Sequence, residues 1–195
     1  MTRRESLIIG LTGPNAAGKG EVAAVLGSMG FACHSLSDIV REEAIGRGRT
    51  TGRDDLIVTG NELRREGGPG ALAERMAPRL GGRDVVDSIR NPAEVQALRR
   101  VAGFVLVGVT APARVRFERA RLRTGRGDAV TDLASFLAKE AEENSTDPAA
   151  QQLEATFALR DRTLSNDGTL EDLRRAVEAL VSDLEKSRAA APQGP

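Results

Sequence analysis

Residues 6 to 20 constrain this chain more than any other stretch. Ser6 to Thr12 is a short, β-forming apolar run, and it opens directly into Gly13-Pro-Asn-Ala-Ala-Gly18-Lys19-Gly20. The run is too short for a typical helix and reads as a buried strand. Glu21 to Met29, which follows, has helical character. Strand, glycine loop and helix in that order, with G-x-x-x-x-G-K across the junction, form a phosphate cradle. Glycines let backbone N–H groups face phosphate oxygens, the helix N-terminus adds the positive end of its dipole, and lysine reaches the terminal phosphates. One part is missing: the Ser or Thr that normally follows the lysine and binds Mg2+ is Gly20, and Glu21 comes next.

Composition sharpens the reading of Lys19. Of 28 cationic side chains only Lys19, Lys139 and Lys186 are lysines, and the rest are arginines. A chain that uses arginine almost everywhere has placed a compact ammonium inside the loop, where a broad guanidinium fork serves less well. The 28 acidic residues bring the net charge to zero, which argues against a general nucleic-acid or anionic-membrane binder. With no Trp, no Tyr and five Phe there is little on which single-stranded bases could stack. One cysteine, Cys33, and one histidine, His34, exclude an internal disulfide framework and argue against a structural zinc cluster, which needs about four N or S ligands. The longest apolar runs, Leu7 to Leu11 and Val101 to Val109, fall short of the roughly 20 residues of a spanning helix. A cytoplasmic location is expected.

Along the chain, strands are expected at Ser6 to Thr12, Gly30 to His34, Asp84 to Ile89, Gly103 to Val109 and Arg162 to Ser165. Helices are expected at Ser37 to Gly46 (capped by Ser37 or Asp38), Arg53 to Glu66, Ala71 to Leu80, Pro92 to Arg100, Pro112 to Thr124, Thr131 to Glu143, Ala149 to Ala158 and Thr169 to Lys186. The last of these carries an apolar stripe of Leu170, Leu173, Val177, Leu180, Val181 and Leu184. Alternating strands and helices predict a five-stranded, largely parallel sheet covered on both faces, with ligands bound beyond the carboxyl ends of the strands. The glycine loop, Ser37-Asp38, Asp87 to Arg90 and Asn166-Asp167 should then share one rim.

Several groups on that rim could carry chemistry. Asp38 and Arg41 share a helix face, either as a surface ion pair or presented to a bound molecule. Asp87 is placed to orient Mg2+, and Arg90 to bind phosphate. Arg114, Arg116, Arg119, Arg121, Arg123 and Arg126 crowd one segment, with Arg116, Arg119 and Arg123 in a stripe. The stripe is either a solvated face neutralised by acids such as Glu118, or a polyphosphate site worked by Arg119, Arg123 or Arg126. His34 and Cys33 are expected to be structural, with Cys33 in the core.

These residues together resemble the P-loop kinases of small molecules, particularly the nucleoside monophosphate kinase and dephospho-CoA kinase group. Gly13, Pro14, Asn15, Ala16, Ala17, Gly18, Lys19 and Gly20 look like the adenylate-kinase loop, with Glu21 where that family has Thr. Ser37-Asp38-Ile-Val-Arg41 resembles the acceptor segment, and Val86-Asp87-Ser-Ile-Arg90 the segment with the second acceptor arginine. Arg119, Arg123 and Arg126 match lid arginines, and Asn166-Asp-Gly168-Thr169 the adenine-side turn. From about residue 7 to 185 the chain is similar to dephospho-CoA-kinase-like proteins, some of which precede a deoxycytidylate deaminase domain. The resemblance implies a three-layer α/β/α P-loop NTPase fold with a five-stranded parallel sheet and a short lid. It spans residues 1–186, with an acceptor region near 37–82, a lid near 119–132 and a disordered tail or linker at 187–195. It also implies ATP and Mg2+ as cofactors and γ-phosphoryl transfer to dephospho-CoA or a nucleoside monophosphate. The alternative is a nucleotide-binding module that regulates a partner such as a deaminase. No Asn-Lys-x-Asp guanine motif is present, so a GTPase switch is not expected.

Overall fold

The computed structural model of the protein describes residues 6–122, 132–142, 144, 147 and 150–190. Five strands, β1 (Leu7–Thr12), β2 (Ala32–Ser35), β3 (Arg83–Asp87), β4 (Phe104–Thr110) and β5 (Arg162–Ser165), form one parallel sheet in the order β2-β3-β1-β4-β5. The helices are α1 (Lys19–Ser28), α2 (Leu36–Gly46), α3 (Arg53–Gly67), α4 (Ala71–Met76), α5 (Pro92–Leu98), α6 (Ala113–Leu122), α7 (Leu133–Glu142), α8 (Leu153–Ala158) and α9 (Leu170–Ala189). The expected three-layer α/β/α P-loop architecture is present.

Side chains alternate across β1 and divide the core in two. Leu7, Ile9 and Leu11 join Val22 and Leu26 of α1 and Leu173, Val177, Val181 and Leu184 of α9 on one face. Ile8 joins Leu36, Leu63, Leu72, Val95 and Leu98, from α2 to α5, on the other. β1 is therefore central and dry on both sides, which explains its unbroken apolar run.

Several boundaries and placements differ from the sequence reading. Leu36 is already helical, so α2 is capped by Ser35, whose Oγ accepts the Ser37 N–H at 3.2 Å, and not by Ser37 or Asp38. Pro78 converts the end of the expected 71–80 helix into a 3-10 turn over Ala77–Arg79. α8 starts at Leu153, not at 149, and α9 runs on to Ala189. Leu170, at the first turn of α9, projects past the core and is 57% exposed. β2 is an edge strand, which leaves Cys33 exposed and not in the core.

The edge strand is anchored by Asp84 of β3. Burial pushes the Asp84 carboxyl up, but the N–H groups of Gly81 (3.0 Å) and Gly82 (2.8 Å) and the His34 ring (3.0 Å) outweigh it and hold the carboxyl below its usual value. A depressed folded-state value stabilises the fold above the unfolded carboxyl's range, about pH 4, and that contribution fades as pH falls below it. Asp84→Asn should therefore show a shallower loss of stability between about pH 5 and 3 than wild type, measured by urea unfolding at each pH.

Candidate active site

Backbone geometry explains the glycines of the loop. Gly13 has φ 139°, and a Cβ there would lie 2.1 Å from the Val109 carbonyl oxygen on β4. Gly18, with φ 99°, caps α1, and its Cβ would meet the Asn166 amide at 2.0 Å. Ala16 also takes a positive φ, 57°, a conformation few non-glycine residues adopt outside functional turns. The first-turn N–H groups of α1 have no intrahelical carbonyl to reach, which leaves an anion-binding terminus at the loop. Lys19 folds back across it, donating from Nζ to the carbonyls of Gly13 (2.8 Å) and Pro14 (3.0 Å).

Gly20, by contrast, has nothing within 4 Å of its Cβ position, and Glu21 is exposed. The two glycines should therefore respond differently to alanine. Gly13→Ala is expected to cost at least about 1–3 kcal/mol in urea unfolding. Gly20→Ala should leave stability unchanged or raise it by up to about 1 kcal/mol.

Two arginines of α6 brace the loop from outside. Arg116, 7% exposed, donates from Nε to Ala111 O (3.1 Å) and from Nη1 to Asn15 O (3.2 Å), and it pairs with Glu140 of α7. Arg119 donates to the main-chain oxygen of Asn166 at 2.9 Å. Asn166 is buried, its N–H donates to Thr110 O (2.7 Å), and its side-chain amide donates to Ala17 O (2.9 Å). The Asn166 side chain thus ties the end of β5 to the glycine loop, while Gly168 lies exposed at the head of α9. Arg123 and Arg126, and most of the expected lid, lie outside the described residues.

On the other side of the loop, Ser35 stands opposite Asp87 in the β2–β3 register. Ser35 Oγ donates to Ser88 Oγ at 3.1 Å, and Ser88 holds a positive φ of 67°. Asp87 Oδ1 accepts the Ser88 N–H at 2.6 Å. Thr12 Oγ1 donates to Ile89 O at 3.1 Å and so joins the ends of β1 and β3. Asp38 and Arg41 form an ion pair with each other on α2. Arg90 donates from Nη1 to Gln151 Oε1 at 2.9 Å.

Among the described residues, no group of three or more His, Cys, Asp or Glu side chains could hold a metal. Asp87 offers one partly exposed carboxylate, which fits an ion such as Mg2+ that takes one or two carboxylates and completes its shell with phosphates and water. No described helix is long and apolar enough to cross a membrane.

The rim also holds residues that the sequence reading passed over. Glu94 of α5 is fully buried, accepts the N–H groups of Arg90 (2.8 Å) and Asn91 (3.1 Å), and pairs with Arg64 of α3 at 3.1 Å. The capping pattern Asn91-x-x-Glu94 after β3 was a local signal for part of this. The partnerships Arg64–Glu94, Arg116–Glu140 and Arg90–Gln151 span 30, 24 and 61 residues and leave no local trace.

Sheet order, loop geometry and helix placement define a P-loop small-molecule kinase fold. Shikimate kinase from Bacteroides thetaiotaomicron matches it with TM-score 0.59 at 16% identity, over 92% of this chain and 98% of its own. A gluconokinase from Sinorhizobium meliloti matches with TM-score 0.54 at 19% identity, over 95% and 97%. No protein-family model matches the chain. The chain belongs to the UPF0200 family: it is 32% identical over 187 residues to a UPF0200 protein of Pyrococcus horikoshii, covering 91% of this chain and 97% of that one. It is also 31% identical over 191 residues to a UPF0200/UPF0201 protein of Archaeoglobus fulgidus, covering 94% of this chain but only 57% of that relative's length. The resemblance to dephospho-CoA and nucleoside monophosphate kinases is supported at the level of the P-loop kinase fold.

Proposed function

We propose that the protein is an ATP-dependent phosphotransferase that moves the γ-phosphoryl group of ATP to a small, nucleotide-like acceptor such as dephospho-CoA or a nucleoside monophosphate. The observation that carries this reading is a difference in charge compensation. Arg47, Arg49, Arg64, Arg79 and Arg116 are each held by a carboxylate. Arg90 and Arg119, which stand on the strand-end rim, are held by an amide side chain and a backbone oxygen. Among the described residues no carboxylate pairs with either; Arg160 and Arg188 are also held by neutral oxygens, but at the amino-terminal ends of β5 and β1, so the two at the carboxyl-terminal rim are the ones placed to take a phosphate.

In this reading Gly13 to Gly20 cradle the triphosphate, and Lys19 leaves its loop carbonyls to meet the β and γ phosphates. Asp87 would hold Mg2+, which would supply neutralisation of phosphate charge. Arg90 takes the anionic group of the acceptor, and Arg41 joins it on leaving Asp38. Asp38, once released, orients an acceptor hydroxyl and takes its proton; an acceptor phosphate, already ionised, needs only positioning. Arg119 stabilises charge at the transferring group, together with Arg123 and Arg126. Asn166 and Gly168 border the nucleotide's base side.

A second reading, a nucleotide-binding module that regulates a partner such as a deaminase, is favoured by the missing hydroxyl at Gly20 and by the greater length of the Archaeoglobus relative. The test is transfer from labelled ATP and Mg2+ to a panel of dephospho-CoA, ribo- and deoxynucleoside monophosphates and nucleosides. Shikimate and gluconate, after which the structural neighbours are named, belong in the same panel. Transfer to one acceptor class supports the kinase; saturable ATP binding with no acceptor phosphorylated supports the module.

A further inference from the structure

Arg90 is fixed at three points, of which only the contact with Glu94 has a local sequence signal. Its N–H donates to the buried Glu94 carboxylate at 2.8 Å, its carbonyl accepts the Gln152 N–H at 2.9 Å, and its guanidinium donates to Gln151 Oε1 at 2.9 Å. The Asn91 side chain donates to Ala150 O at 2.8 Å, so residues 150–152 lie along the Arg90–Asn91 backbone. The charge of Glu94 is met by Arg64, which is 7% exposed, so the support beneath Arg90 does not itself cancel the Arg90 charge.

We propose that Gln151 is a positioning residue for Arg90: it aims the guanidinium through a neutral amide oxygen, so that the full positive charge is presented to a phosphate monoester of the acceptor. The proposal rests on the reading above that Arg90 takes an acceptor anion. It adds the residue that makes the site selective for a charged acceptor over a neutral one. A glutamate here would hold the arginine by a stronger, charge-assisted bond, as carboxylates do for Arg47, Arg49 and Arg79 in this fold, and would cancel its charge. Glutamine keeps the geometry and leaves the charge.

Orientation and charge make opposite predictions for two variants. If Gln151 mattered only as a structural hydrogen-bond acceptor, Gln151→Glu, which retains the acceptor, would be better tolerated than Gln151→Ala. If it works by leaving the guanidinium uncompensated, Gln151→Glu is the more damaging change, because the approaching phosphate meets a carboxylate a few ångströms away. Binding is read at Arg90 itself, by titrating 15N-labelled protein with inorganic phosphate at constant ionic strength and pH 7.5. The Arg90 Nε–H resonance, assigned with Arg90→Lys, reports on this site separately from phosphate bound in the glycine loop.

The wild type should give a saturable shift. Gln151→Glu should need about tenfold or more phosphate for the same shift, and Gln151→Ala about two- to fivefold more. Equal affinity in wild type and Gln151→Glu, or a larger loss in Gln151→Ala than in Gln151→Glu, would overturn this proposal alone. An Arg90 resonance in the wild type that phosphate does not move would overturn the acceptor-anion reading with it. Gln151→Met, neutral and of similar size, serves as a further check should the glutamate variant fold poorly, and should match Gln151→Ala.

Discussion

Lys19→Ala should lower phosphoryl transfer by about 10²–10³-fold or more, the loss expected when one preorganised donor is removed from charge that develops in the transition state. The fold should be kept. Lys19 lies at the start of α1 and donates to the carbonyls of Gly13 and Pro14, and each such hydrogen bond is worth only about 0.5–1.5 kcal/mol net. Two such bonds, about 1–3 kcal/mol, correspond in a domain of this size to a thermal midpoint lowered by about 2–12 °C. Lys19→Arg should also be strongly impaired, because a broad planar fork cannot take the place of a compact ammonium in a loop already closed against Val109 and Asn166. Near wild-type transfer by folded Lys19→Ala protein would remove the glycine loop from the mechanism.

The largest expected effect on stability belongs to Arg64 and Glu94. Glu94 is fully buried, and burial holds its carboxyl above the usual range, a rise that Arg64 and the N–H groups of Arg90 and Asn91 offset only in part. Removing Arg64 leaves that carboxylate without its counter-charge, and breaking a buried pair from one side costs about 3–5 kcal/mol. Arg64→Ala should show this in urea unfolding at pH 7. It should also become less stable as pH rises from about 5 to 8, because a raised folded-state carboxyl binds protons more tightly in the native than in the unfolded protein. A double change, Arg64→Met with Glu94→Gln, should recover part of the loss. Equal stability of Arg64→Ala and wild type at pH 7 would contradict the ion-pair assignment.

Much of this architecture was legible from the sequence because its signals are local. Ser6 to Thr12 reads as a buried strand since β1 sits at the centre of the sheet with packed side chains on both faces. The glycine loop reads from spacing because positive φ and close backbone approach leave glycine as the fitting residue at 13 and 18. Strand order was not legible: Gly30 to His34 reads as a buried strand, yet β2 lies at the edge, where Cys33 is exposed. In the arginine-rich segment the sequence showed a stripe but could not separate its members. Arg116 turns out to be a brace held by Glu140, whereas Arg119 is held by the Asn166 backbone and has no carboxylate partner among the described residues. That distinction depends on partners brought in by the fold from distant positions. The same is true of Arg90: its place after β3 was readable, but the Gln151 that holds it comes from 61 residues away.

The most direct test of the central claim is a single-turnover experiment with enzyme in excess over ATP labelled at the γ-phosphate, with Mg2+ and the acceptor panel. The label should move to one acceptor with matching release of ADP, in wild type and not in Lys19→Ala. Label that stays on ATP bound to a folded, saturated protein with every acceptor, or that appears only as inorganic phosphate, would contradict it.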